Sequence, residues 1–312
     1  MRRGYNATQV EAAHRKRTAV TAVLVFLLIP AIIIASFTLM DNRSYILISW
    51  MILALTIAPF FMVFEKRKPK AREIVLIAMM SALMVCAQLL CGVTVGLQAG
   101  SAMIIVAGIA LGPEAGFLIG ALSRFVLNFY AGQGPWTPWQ MFCWGLLGFL
   151  AGLAFNRATV EKLKSRSFKI IMGPVLCVVF AVAAAYICYL LFPGDSTTFF
   201  GWRLYVFGAV GLLAGALLQR KRLPVDDVTL TVFTFFSIFI IYGGIMNICA
   251  MVNAAGLPGA GDISWDSLKV LYISGVSYDA AHAGTAAVFA FFFGDKIIRK
   301  LERVKLKYGI YR

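Results

Sequence analysis

The chain has 312 residues, 61% of them hydrophobic, with a mean hydropathy of +0.83 and a formal net charge of +15. Soluble domains are about half apolar, so this composition excludes an ordinary soluble domain. The basic residues sit in short runs between apolar stretches, which is how topology is set in a bilayer, and this argues against a nucleic-acid-binding surface. Only two His occur, which argues against a His-based metal centre. The six Cys lie in or beside apolar segments without a CxxC pair and read as small buried hydrophobes.

Apolar runs measured against a span of about 20 residues predict an all-α, polytopic membrane protein with about ten helices. The first two cover 18–39 and 45–64. The run at 18–39 is too long for a signal core and is followed at once by a second span, so it is expected to be retained. A basic linker, EKRKPKAR, precedes spans at 73–91, 100–112, 114–131 and 137–155. Further spans follow at 168–192, 201–219, 229–253 and 271–295. With the N-terminus inside, all but four of the 29 Lys and Arg fall in inner segments; the exceptions are Arg43, Arg124, Arg203 and Lys269. Such asymmetry predicts a cytoplasmic-membrane protein with both termini inside. Trp50, Trp202 and Trp265 fall near outer span ends, as in an interfacial aromatic belt. GLLGFLAGLAFNR (145–157) and GAVGLLAGALLQR (208–220) share a glycine spacing suited to close helix packing.

The segment GQGPWTPWQMFCWG (132–145) interrupts this apolar text and, in that topology, faces outside. Thr137, Pro138 and Gln140 predict a helix start with Thr137 as N-cap and Gln140 closing a capping box. Gly132 to Pro135 form a compact turn. The loop therefore presents Gln133, Trp136, Trp139 and Gln140, and rigid rings beside amides suit a flat, polar small molecule. The same residues also make sense as a capped helix with belt tryptophans. Arg124 and Asn128 lie one turn apart in the preceding helix, and Asn247 sits in YGGIMNICAMVN. Asp279 and His282 share one side of the last helix. Ionisable groups inside a membrane helix point to function, although Asp279 and His282 could equally pair with Arg124 as a brace.

Common catalytic signatures are missing: there is no GxxxxGK[ST] phosphate loop, no GxSxG and no HExxH. Near the start of the third span, Ala78 and Ala82 have the small-xxx-small spacing that lets another helix approach.

Taken together, these residues resemble the substrate-binding S component of energy-coupling factor (ECF) transporters, most closely the cobalamin-type members. The likeness lies in 111–152, in YGGIMN (242–247), in YDAAHAGTAAVFAFFFGDKIIRKLERVKLKYG (278–309) and in the Ala78-x3-Ala82 pair. It implies a six-helix core with additions: two extra helices in 1–72, core helices one to four in 73–157, an inserted pair in 158–228, and core helices five and six with a basic tail in 229–312. It further implies a non-enzymatic subunit without metal or cofactor that captures a vitamin from outside. The expected ligand is cobalamin or a related corrinoid, with riboflavin or a modified base such as queuosine as alternatives. Partners would be a transmembrane coupling subunit and two ATPases. Carried over by position, Gln133, Trp136 and Trp139 would contact ligand, and Gln140, Asn128, Asn247, Asp279 and His282 would line or brace the pocket. Gln98 would join from the first core loop, and Ala78 and Ala82 would face the partner. A proton-coupled secondary transporter using Arg124, Asp279 and His282, or an intramembrane enzyme using Asp279 and His282, are the rival readings.

Overall fold

In a computed structural model, the residues described are 71–95, 97–155, 225–255 and 264–309, with a few more between 184 and 211. The expected spans at 18–39 and 45–64, the basic linker up to residue 70, and most of the expected pair at 168–219 lie outside them, as do Trp50, Trp202 and the side chain of Trp265.

Six long helices make up the described bundle. They are α1 (Ala71–Val95), α2 (Ala99–Leu111), α3 (Pro113–Ala131), α4 (Thr137–Ala154), α5 (227–255) and α6 (265–308). Helix α5 passes through a π-helical stretch at Ser237–Tyr242, and α6 through another at Ala290–Gly294. The six match the expected spans within a few residues, except that α6 starts earlier and runs past the apolar stretch into Asp295–Tyr308. Ser264 sets that early start by accepting a hydrogen bond from the Ser267 amide, an N-cap that the apolar pattern hides.

Two of these helices are long and apolar enough to cross a bilayer by themselves, Ala71–Cys91 and Asp227–Ala254; α2 is a shorter apolar helix. Helices α3, α4 and α6 carry polar side chains such as Arg124, Asn128, Gln140, Asp279 and His282, which dilute their apolar character.

Every residue of α2 is buried, and α1, α3, α4 and α6 pack around it. The tightest packing is that of α3 on α4. There the backbones meet without side chains between them: a Cβ on Gly148 would strike the Gly116 carbonyl, and one on Gly108 of α2 would strike the Gly148 carbonyl. Only glycine permits this three-helix crossing. Around it, Met80, Met84, Ile104, Ile105, Leu147 and Ala286 close the main core. The opposite flank is exposed and apolar: Ile74, Val75, Met79, Leu83 and Leu90 stand along one side of α1, with Ala78 and Ala82 in the same row.

Polar contacts fasten both ends of α2. At its start, the Gly100 amide donates to Gln88 Oε1 (2.9 Å) and the Gln98 amide to Thr285 Oγ1 (3.3 Å). At its end, Lys305 Nζ donates to the Ala110 carbonyl while pairing with Glu302 at 2.8 Å. A cation suits the carbonyl end of a helix, where the dipole is negative. Arg72 similarly donates to the Tyr308 carbonyl (3.1 Å). The basic end of α6 is thus fixed to the end of the bundle opposite Gln88 and Gln98.

Candidate ligand-binding site

Near the Gln88–Gln98 end lies a cavity of about 230 Å³. Its wall comes from the ends of α1 (Gln88, Leu89) and α3 (Arg124, Leu127, Tyr130, Ala131), the start of α4 (Gln140, Trp144), Gln98, and the inner sides of α5 (Tyr242) and α6 (Tyr278, His282). Tyr242 closes the π-helical turn of α5, an irregularity that recurs at functional sites.

Aromatic faces dominate one side. The His282 ring stands edge-on to Tyr242 with centroids 4.7 Å apart, and Tyr278 lies 6.3 Å away. The Arg124 guanidinium lies over the Trp144 ring at 4.7 Å, a cation–π contact. Arg124 Nε donates to Gln140 Oε1 (2.9 Å), which also accepts from Asn128 Nδ2 (2.9 Å). Gln88 Nε2 donates to Gln98 Oε1 (2.8 Å), and His282 Nε2 shares a 2.9 Å hydrogen bond with Ser101 Oγ. Three buried polar atoms around this wall have no partner: Trp144 Nε1, His282 Nδ1 and Asn128 Oδ1. Unmade hydrogen bonds at buried atoms cost about 1–3 kcal/mol each, and a ligand seated here can satisfy those that face it.

The sequence-predicted residues divide into three groups. Gln98, Gln140 and His282 line the cavity, and fully buried Asn128 braces Gln140 from behind. The loop residues do not reach the wall. Gln133 folds back, donating to the Phe125 carbonyl (3.2 Å) and accepting from Thr137 Oγ1 (3.0 Å). Trp136 is 40% exposed with its ring over Gly134, while Trp139 is 2% exposed and packs into the protein. Asn247 and Asp279 pair with each other between α5 and α6 (2.9 Å), beside Gly243 and Gly275, whose lack of side chains makes room.

The expected capping box is also replaced. The N-cap position falls one residue earlier than expected, on Trp136, and no side chain caps the helix. Thr137 Oγ1 instead accepts from Asn128 Nδ2 (3.0 Å) and the Gly134 amide (3.1 Å). Gln140 turns inward, where the Arg124 guanidinium and the Asn128 amide both donate to its oxygen, while the Thr137 amide already donates to the Gly134 carbonyl. The turn itself depends on Gly132, whose φ of 98° strains any residue with a Cβ. Ala78 and Ala82 are exposed on α1. Arg124 forms no brace with Asp279 or His282: no hydrogen bond links them, and each has its own partner.

Sequence reasoning missed Gln88, Trp144, Tyr242 and Tyr278 as wall residues and treated Arg124 only as a brace or relay. A signal was available for two of them. Trp144 follows Gln140 by four residues and Tyr278 precedes His282 by four, so each stacks on a polar candidate of the same helix face. Tyr242 and Gln88 carried no such mark.

Residues 68–200 match the family model described as ECF-type riboflavin transporter, S component. No curated protein and no solved structure matches the chain. The match covers less than half of the sequence, and it corrects the cobalamin-type expectation, since the family matched is the riboflavin one. Among the described residues, no group of three or more His, Cys, Asp or Glu could hold a metal ion. The chain is therefore similar, through 68–200, to vitamin-binding S components, which belong to a transport family and not to an enzyme family.

Proposed function

We propose that this chain is the substrate-binding S component of an ECF transporter and that its ligand is a flavin-class vitamin taken from outside the cell. The observation that carries this reading is the cavity: ring faces of Trp144, Tyr242 and Tyr278 beside Gln98, Gln140 and Arg124, in the part of the bundle that includes the matched segment. Stacking surfaces with a few fixed polar groups are what a flat, polar heterocycle requires. The cavity lies at the end of the bundle away from the basic terminus of α6. With that terminus in the cytoplasm, the cavity opens outward, both chain ends lie inside, and the chain crosses the cytoplasmic membrane several times.

The energy for uptake comes from elsewhere, because the sequence holds no phosphate loop. A coupling membrane subunit and two ATPases supply it, as is implied for S components, and the exposed Ala78–Ala82 row of α1 is the face on which the coupling subunit packs.

Titrating riboflavin into the purified chain tests the reading. Saturable, one-to-one quenching of flavin fluorescence is expected. Proteoliposomes holding the chain alone are expected to accumulate no flavin until the coupling and ATPase subunits are added, and Ala82→Leu is expected to lower co-purification with the coupling subunit without changing flavin affinity. Absence of riboflavin binding would remove the flavin assignment. Unaided accumulation that collapses with the proton gradient would instead establish a secondary transporter.

A further inference from the structure

The cavity wall has a polarity that can be worked out bond by bond. Side-chain amides are ambiguous in isolation, since their oxygen and nitrogen are nearly the same size. Here two groups that can only donate fix them. The Gly100 amide points at Gln88, so Gln88 must turn its oxygen there and its nitrogen toward Gln98. Gln98 must answer with its oxygen, which leaves its own nitrogen uncommitted. The Nε–H of Arg124 points at Gln140, so that amide too must present oxygen inward to the guanidinium, where Asn128 occupies it a second time.

Every amide oxygen on the wall is therefore already accepting. What remains on offer is mainly N–H: the Nε2 groups of Gln98 and Gln140 and both terminal nitrogens of Arg124, with the buried, unpartnered indole N–H of Trp144 beside them. Acceptor capacity is smaller: second lone pairs on Gln88 Oε1 and Gln98 Oε1, the tyrosine hydroxyls, His282 Nδ1 in one tautomer and, behind the wall, Asn128 Oδ1. Arg124 also brings a positive charge whose contacts are an amide and an indole ring, with no carboxylate among them. Its planar fork, held over the Trp144 ring, suits two adjacent acceptors.

We infer that the site selects ligands whose polar ring edge is rich in acceptors, a dione-type edge with adjacent carbonyl and imine lone pairs, and that Arg124 is the residue that reads this edge. A ring bearing an exocyclic amine at that edge brings donors to face donors, and leaving such groups unpaired out of water is costly. A cationic ligand meets the guanidinium charge. This inference rests on the proposed role as a vitamin-binding subunit but goes beyond it, since it concerns which edge chemistry the wall accepts.

The test uses a matched pair of fluorescent bicyclic rings. Lumazine carries two carbonyls; pterin has the same skeleton with one carbonyl replaced by an amine. Both are titrated, with riboflavin in parallel, into the purified full chain and into Arg124→Gln. Lumazine is expected to bind at least tenfold more tightly than pterin to the wild type, and the ratio is expected to fall to within about twofold in the variant. Equal or tighter pterin binding by the wild type would overturn the inference, as would a ratio unchanged by Arg124→Gln. Should that variant fail to fold, the wild-type ratio decides. If riboflavin does not bind while lumazine outcompetes pterin, the flavin assignment fails and the edge rule stands. If riboflavin binds without discrimination within the pair, the edge rule fails and the flavin assignment stands. Failure of all three rings to bind would refute both.

Discussion

Trp144 serves the cavity in two ways, as a ring face under Arg124 and as an indole N–H without a partner. Replacing it with Phe keeps a face and removes the donor. Losing one neutral hydrogen bond is worth about 0.5–1.5 kcal/mol, so Trp144→Phe is expected to weaken riboflavin binding by roughly 2- to 10-fold in a fluorescence titration; unchanged affinity would show that the indole N–H does not meet the ligand. Trp136→Ala is expected to leave affinity within about twofold, because that ring lies over Gly134 outside the wall. The contrast marks how far single residues were legible. The sequence drew attention to the conspicuous tryptophan of the polar loop, where composition changes abruptly. It hid the one that lines the cavity inside an apolar helix, where only the four-residue step from Gln140 distinguishes it. Gln133 shows a related limit: an amide in a turn looks available in the sequence, whereas the structure has it held by Thr137 and the Phe125 carbonyl.

At the scale of elements, helix positions followed from apolar runs because burial and bilayer thickness both reward unbroken hydrophobic stretches of similar length. The polar continuation of α6 and the π-helical turn that ends at Tyr242 were not legible, since neither changes the apolar pattern. The crossing of α2, α3 and α4 was partly legible through the glycines of GLLGFLAGLAFNR, although their contact partners, Gly108 and Gly116, come from other helices. This crossing sets the relative placement of Arg124, Gln140 and Trp144, so strain there should be felt at the site. Gly148→Ala inserts a methyl group against the Gly116 backbone, and overpacking of this kind costs about 1–3 kcal/mol. Thermal unfolding in detergent is expected to register that loss, and a midpoint unchanged from wild type would mean that the helices separate there without cost.

The described bundle has a polarity along its length. At one end Gln88, Gln98, Arg124 and Trp144 surround a cavity; at the other, Arg72 and Lys305 bind the carbonyls of Tyr308 and Ala110. Helix α6 joins the two, and at 1.5 Å per residue it is roughly 65 Å long. This exceeds a bilayer core of about 30 Å, so α6 is longer than a single span requires. In the topology proposed above, charge bias along the sequence puts that terminus in the cytoplasm and the cavity at the outer face. The central claim is that an outward-facing cavity holds the ligand, and Ala131 on its rim offers direct access to it. In Ala131→Cys, a membrane-impermeant thiol reagent applied to intact cells is predicted to label the new cysteine above the background of the native ones, and saturating riboflavin is predicted to block that labelling. Labelling only from the cytoplasmic side, or labelling indifferent to riboflavin, would contradict the account.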